Sequence, residues 1–307
     1  MDVDCEGCAG CCVDWHALAP GIADPEREGD RQPLDASTNF VPLERDEVRA
    51  MLDAGHADAL RPRLWTIEAP DAATDGADGT SSTGHDQADR PDAPVEIDGY
   101  QLAGIRGRPV FYVGLRKPPK PVAPAGREEP TWLPTCAFLD PETLQCRIHE
   151  SELYPNACAA YPGFNLLLDQ TTECERVEDS DGGKRLLDDE PPSEPPGVGL
   201  GPQALGAKLF AHPDPESLEG RIERLANGTG TTADQRAFVT VAASSSPGTL
   251  AVSEDWRERA REEFDAGESW VSGAIEAWTD LEGGDADPTL GEQVEVDRGA
   301  PETPGWE

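Results

Sequence analysis

The sequence predicts an α+β fold. It reads as a small, irregular, metal-stapled cysteine-cluster core with short strands, followed by C-terminal helices and interrupted by disordered acidic insertions. Three observations carry this expectation. Cysteines crowd near residue 5 and again near residue 146, β-prone apolar runs occupy residues 95–117, and helical periodicity dominates after residue 200. Apolar residues make up only 37 % of the chain, which points to a modest core flanked by stretches that do not pack.

The elements follow in order. After the first cysteine loop, Val48, Met51 and Leu52 recur at helical spacing, so a helix is expected over 44–54 with Gly55 as its stop. A second short helix is expected to carry Leu60, Leu64 and Trp65. Residues 70–94 hold almost no large apolar side chain and read as a disordered insertion. The run Val110-Phe111-Tyr112-Val113 is β-prone, and Gly99 marks a turn before it. Five prolines make residues 118–131 a stiff linker or wrapped loop. A hairpin is expected around the turn Asp140-Pro141-Glu142-Thr143, with another strand over Phe164 to Leu168. Asp214 is an N-cap candidate ahead of Pro215, with Leu218, Ile222 and Leu225 on one face and Gly228 as the stop. One long helix over 254–280 would place Trp256, Phe264, Val271, Ile275 and Trp278 in the core. The domain reading is a cysteine-cluster metal-binding domain over 1–175, a helical region over 200–280 and a frayed acidic tail over 281–307.

The formal net charge is −36, from 61 acidic and 25 basic residues, and only Lys117, Lys120, Lys184 and Lys208 are lysines. Carboxylates spread through almost every segment repel one another at low salt, whereas molar salt screens charges within about 3 Å. This is the signature of a halophilic surface and reports little on function. With no basic stripe to neutralise phosphates, nucleic-acid binding is not expected. The N-terminus lacks a basic region and an apolar run, and no window approaches a membrane span, so a cytoplasmic protein is expected.

In a reducing compartment, eight cysteines read as metal ligands or redox groups before disulfides. Cys5, Cys8, Cys11 and Cys12 spell C-x2-C-x2-C-C, and an x2 gap lets two thiolates turn toward one ion. Adjacent side chains diverge, so Cys11 and Cys12 are expected to serve two metals, or one of them bridges. The second group is Cys136, Cys146 and Cys158, with His149 a chelating interval from Cys146 and Cys174 further on as two additional candidates. His16 closely follows the first group, but ligation is not its favoured reading; for His149 a surface or second-shell place is the alternative to ligation. The seven clustered cysteines exceed one tetrahedral ion; two zinc ions, one iron–sulfur cluster, or one of each satisfy the count. Sharing ligands between the two groups would complete both, and two independent sites would be the alternative.

These motifs resemble the YkgJ-type cysteine-cluster family. The resemblance rests on Cys5-x2-Cys8-x2-Cys11-Cys12, Cys136-Ala-Phe-Leu139, Cys146-Arg-Ile-His149 and Tyr154-Pro155-Asn-Ala-Cys158-Ala-Ala-Tyr161-Pro162. It spans residues 1–60 and roughly 132–168. Tyr154 and Ala159 stand where that family usually has arginines. The resemblance implies zinc or iron chelation and, through the shared pattern in flagellin lysine N-methylases, a cluster-dependent protein-modifying enzyme. A zinc-stapled protein-interaction module is a third reading, with another protein as partner or substrate. There is no P-loop, no HExxH, and no glycine-rich loop after a strand; the run Gly197 to Gly201 reads as a linker.

Overall fold

The computed structural model describes residues 7–19, 21, 30–67, 93–149, 151–167, 169–181 and 202–304. Cys5, the bulk of the 70–94 insertion and the Gly197 to Gly201 run lie outside them. The strands are β1 (Arg31–Pro33), β2 (Leu60–Ile67), β3 (Val95–Ile97), β4 (Tyr100–Leu102), β5 (Gly104–Ile105), β6 (Arg108–Leu115), β7 (Pro119–Val122), β8 (Thr131–Pro134) and β9 (Phe210–Ala211). The helices are α1 (Arg45–Asp53), α2 (Asn156–Ala159), α3 (Gly163–Leu167), α4 (Glu173–Asp181), α5 (Arg221–Ala226), α6 (Thr232–Ser244), α7 (Glu254–Ala266), α8 (Trp270–Leu281) and α9 (Pro288–Val296). The architecture is mixed α and β, with antiparallel sheets and several C-terminal helices.

The main sheet runs β3-β4-β2-β6-β5, with β1 added to β2 and β9 to β6. Its centre is the β2–β6 ladder, in which Leu60 faces Leu115 and Leu64 faces Phe111. The helix expected around Leu60 and Leu64 is therefore a strand. A spacing of four puts two residues on one face of a helix and equally on one face of a strand, so the pattern could not separate the two. Pro62 tips the balance, because proline breaks a helix interior and is tolerated in a strand where its missing N–H faces no partner. Opposite β6, β1 reaches β2 only from Trp65 to Ile67, which leaves the Pro62 edge uncovered by a strand.

The proline-rich linker also resolves into structure. Pro119 and Pro121 sit in β7, which pairs with β8 alone. The two prolines alternate with Lys120 and Val122, so their N–H-less positions share the edge facing away from β8. The strand expected from Phe164 is instead helix α3. The single helix expected over 254–280 breaks into α7 and α8 at Gly267, where a Cβ would stand 3.2 Å from the Gly55 carbonyl oxygen. Trp256 leaves the core and lies exposed under the Arg49 guanidinium, 3.8 Å from its ring centre.

The core forms where α6 covers β2 and β6. Phe111, Phe210 and Phe238 meet there with ring centres 4.9 and 5.7 Å from Phe111. Thr231 caps α6, its hydroxyl accepting from the Asp234 amide, a start signal that the sequence reading passed over. The tail over 281–307 is not wholly frayed: α9 lies within it, capped by Asp287 with Pro288 at its first turn. On α9, Glu295 is fully buried and accepts from Lys120 at 2.7 Å and Arg147 at 2.5 Å. Among the described residues, no helix is long and apolar enough to cross a membrane.

A thiol cluster as the candidate functional site

The first cysteine loop is pinned at many points. Ala9 and Gly7 take left-handed backbone conformations that fold the chain back on itself. The Cys12 and Val13 amides both donate to the Ala9 carbonyl. The Asn39 amide nitrogen donates to the carbonyls of Gly10 and Val13 at 3.0 and 3.2 Å. Lys117 Nζ reaches Asp14 at 2.8 Å, Thr38 O at 3.3 Å and Cys11 O at 3.4 Å. Gly10 is required by contact, because a Cβ there would stand 2.7 Å from Val177 of α4.

The second cysteine segment docks on this loop by backbone pairing. Asp14 N donates to Pro134 O and Cys136 N donates to Cys12 O, each at 2.8 Å. The expected hairpin exists as a bridge between Leu139 and Cys146, closed by the Asp140 carboxylate accepting from the amides of Glu142 and Thr143. Cys158 arrives on α2, whose first amide, at Asn156, donates to Glu47 Oε1 at 2.6 Å. The other Glu47 oxygen caps α1 at the Glu44 amide, 2.7 Å away. One carboxylate thus joins helix α1 to the segment that carries Cys158.

Five thiols converge in consequence: Cys11, Cys12, Cys136, Cys146 and Cys158. Cys11 Sγ and Cys12 Sγ lie 3.9 Å apart, within reach of a weak S–H hydrogen bond. The expectation that these neighbours diverge is therefore wrong, since the turn geometry of the loop brings both sulfurs to one side. The hydrogen bond from Cys12 lowers the Cys11 thiol, and the Lys117 ammonium lowers it further. Cys12 is pushed well up by that same bond and by burial, then by Cys11, Cys136 and Cys158. Burial raises Cys136, and it pushes Cys146 up to about 12, with Cys136 and Cys11 adding to the latter. Cys158 is raised by burial and then by Cys11, Cys136 and Cys146. Cys12, Cys146 and Cys158 each feel the charge of at least two other cysteines, which is consistent with a shared, poorly solvated space. The hydroxyls of Tyr154 and Tyr161 border it, both raised chiefly by burial, with neighbouring cysteines contributing.

The remaining candidates sit around this group. Cys8 is buried, its sulfur 3.5 Å from where a Gly10 Cβ would stand. Cys174 is buried on α4, close enough to Tyr161 to influence its hydroxyl. The His149 ring packs edge-on against Tyr154, with centres 4.9 Å apart. His16 is engaged elsewhere, with Nε2 3.0 Å from the Glu173 carboxylate, which also accepts from Trp15 Nε1 at 3.0 Å and from Arg176. No disulfide joins the seven described cysteines. Among the described residues, no three Cys, His, Asp or Glu side chains close into a ready-made coordination sphere.

Sequence reasoning missed Lys117, Glu47 and Asn39, which hold this site together. A signal for the first did exist. In a chain that avoids lysine, two of the four retained lysines, Lys117 and Lys120, are buried ones whose heads are fully engaged with the protein.

No curated protein matches the chain. No solved structure matches it either. The expected membership of the YkgJ-type family is overturned, because the family whose model matches is a different one and extends over the whole chain. The resemblance rested on a short cysteine pattern covering a fraction of the residues, and the described cysteines do not form that family's expected closed metal site. With its model matching residues 1–307, the chain belongs to the family of unknown function DUF7531.

Proposed function

We propose that this protein holds zinc or iron, as an ion or an iron–sulfur centre, through the thiolates of Cys11, Cys12, Cys136, Cys146 and Cys158. The observation that carries the reading is the convergence of five thiols, Cys136 buried and the other four partly buried, from two segments far apart in sequence. A core assembled for packing alone gains little from so many soft, ionisable groups in mutual electrostatic contact.

The donor set fits such a group chemically. Thiolate sulfur suits zinc and iron, and two sulfurs bound to one zinc at about 2.3 Å stand roughly 3.8 Å apart in a tetrahedron. The Cys11–Cys12 separation is 3.9 Å. When bound, the metal would staple the N-terminal loop to the β8 and α2 segments. Lys117 and Glu47 then act as supports: Lys117 fixes the Cys11 loop through backbone oxygens, and Glu47 fixes the start of α2. The flagellin lysine N-methylase analogy rested on the discarded family resemblance and carries no weight of its own.

The test is elemental analysis of protein purified without oxygen, with thiol titration beside it. Zinc or iron in near-stoichiometric amount, lost in a folded Cys136→Ser/Cys158→Ser variant, is the expected result. Folded wild-type protein free of metal, with all five thiols open to alkylation, would defeat the proposal.

A further inference from the structure

A second site lies beside Lys117. A cavity of about 440 Å³ opens along the uncovered Pro62 edge of β2, lined by Arg61, Arg116, Lys117, Asp14, Asp35 and Gln235, and closed by the turn after α5 around Gly228. In a chain of net charge −36, three cations around one cavity are unusual. Two of them are already committed. Lys117 pairs with Asp14 at 2.8 Å, and Arg61 with Asp35 at 2.7 Å, an aspartate that also pairs with Arg63 at 3.0 Å.

Arg116 differs. Among the described residues its guanidinium makes no hydrogen bond and no ion pair. Its nearest electrostatic influences are Asp58, without an ion pair, and the like-charged Arg61, and burial makes its charge less favourable. A half-buried arginine costs free energy to desolvate unless a partner receives its donors. Dozens of exposed carboxylates elsewhere on this surface do not supply that partner. A planar guanidinium with open donors beside two anchored cations is a recognition element for an oxyanion.

We propose that this cavity binds a small oxyanion, a carboxylate or phosphoryl group on a small molecule, with Arg116 as its bidentate anchor and Arg61 and Lys117 supplying field. The volume lies within the range of small-molecule sites, roughly 300–1,000 Å³. The site is independent of metal at the thiols, although its Asp14–Lys117 wall also braces the Cys11 loop.

Calorimetric titration of the whole protein with inorganic phosphate and, separately, succinate in concentrated KCl tests this, at fixed ionic strength. Saturable binding of at least one probe is expected, and which one binds tells phosphoryl from carboxylate chemistry. Arg116→Gln should weaken binding by about tenfold or more, equivalent to ~1.4 kcal/mol. Gln235→Glu, which places a carboxylate on the lining from α6, should do the same and serves if Arg116→Gln fails to fold. Arg236→Gln, in an exposed pair with Asp265, should change nothing. No binding of either probe, or binding undiminished in a folded Arg116→Gln or in Gln235→Glu, overturns the proposal.

Discussion

The amide of Cys136 donates to the carbonyl of Cys12 at 2.8 Å, and with the Asp14–Pro134 bond beside it this pairing makes the two cysteine segments a single structure. Side chains next to a pinned backbone inherit its position, so Cys11, Cys12 and Cys136 are placed together by main-chain geometry. Cys158 depends instead on a side chain, Glu47, and that difference is testable.

Glu47→Ala removes the cap of α1 and the acceptor for the Asn156 amide. It should cost about 0.5–2 kcal/mol, the range for a lost cap, because water can satisfy the exposed Asn156 amide. It should also make Cys158 alkylate faster than Cys136, which the β8 segment still holds. Denaturant titration gives the first quantity and mass-mapped alkylation the second. Equal reactivity of the two thiols would show that Glu47 does not position α2.

The Lys120–Glu295–Arg147 group gives the second prediction. Lys120 and Glu295 have fully buried side chains 2.7 Å apart; burial lowers the lysine's proton affinity and raises the carboxyl's. The ammonium also sits 4.1 Å from the Trp278 ring centre and donates to the carbonyls of Ala137 and Leu139. Removing one member of a buried pair typically costs about 3–5 kcal/mol, because the other is left uncompensated. Glu295→Gln should be worse than Lys120→Met, since it leaves the fully buried Lys120 without a carboxylate and Arg147 with Asp140 as its one ion-pair partner among the described residues, whereas the methionine variant leaves Glu295 paired with Arg147. Chemical denaturation at constant KCl measures both. The reverse order would mean that the carboxyl is not the hub of the group.

Acid should destabilise the fold in two windows. His212 is held down to about 4 from 6.5, first by burial and then by Arg257, so the unfolded chain binds its proton more readily. Its stabilisation is complete above pH 6.5 and disappears as pH falls to about 4. The Asp35 carboxyl titrates near 2, below its ordinary 3.8, because Arg61 and Arg63 outweigh its burial; its share is complete above 3.8 and is lost as pH falls through about 2. Each shift corresponds to a few kcal/mol at most, on the order of 2–3. Melting temperatures from pH 7 to pH 4 should fall less steeply in His212→Gln than in wild type. Parallel slopes would remove His212 as the cause.

Salt should act through the surface. Stability is expected to rise with KCl from about 0.1 M into the molar range as repulsion among carboxylates is screened. A melting temperature indifferent to KCl would contradict the halophilic reading of the charge.

The parts of the fold legible in the sequence were those with one unambiguous local signal. Helix α1 was readable from Val48, Met51 and Leu52, and the β6 strand from its Val-Phe-Tyr-Val run. Leu60 to Trp65 was misread because four-residue spacing serves both periods, and the choice was made by pairing with a strand some fifty residues away. Prolines in β7 mislead in the same way, since only the edge position excuses them. The thiol cluster was legible as residue types and short spacings. The convergence of its two halves was a hypothesis that local sequence could not decide, because it depends on long-range bonds from Asn39, Lys117 and Glu47. The oxyanion cavity left no motif at all, as its residues come from β2, the turn after β6 and the end of α5.

The central claim is sulfur ligation, and so acidic a protein will pick up divalent ions on carboxylates regardless. X-ray absorption at the zinc and iron edges, on protein purified without oxygen and washed in molar KCl, separates the two. The account expects a sulfur-dominated shell at about 2.3 Å. A shell of oxygen and nitrogen alone near 2.0–2.1 Å, unchanged in Cys136→Ser/Cys158→Ser, would contradict it.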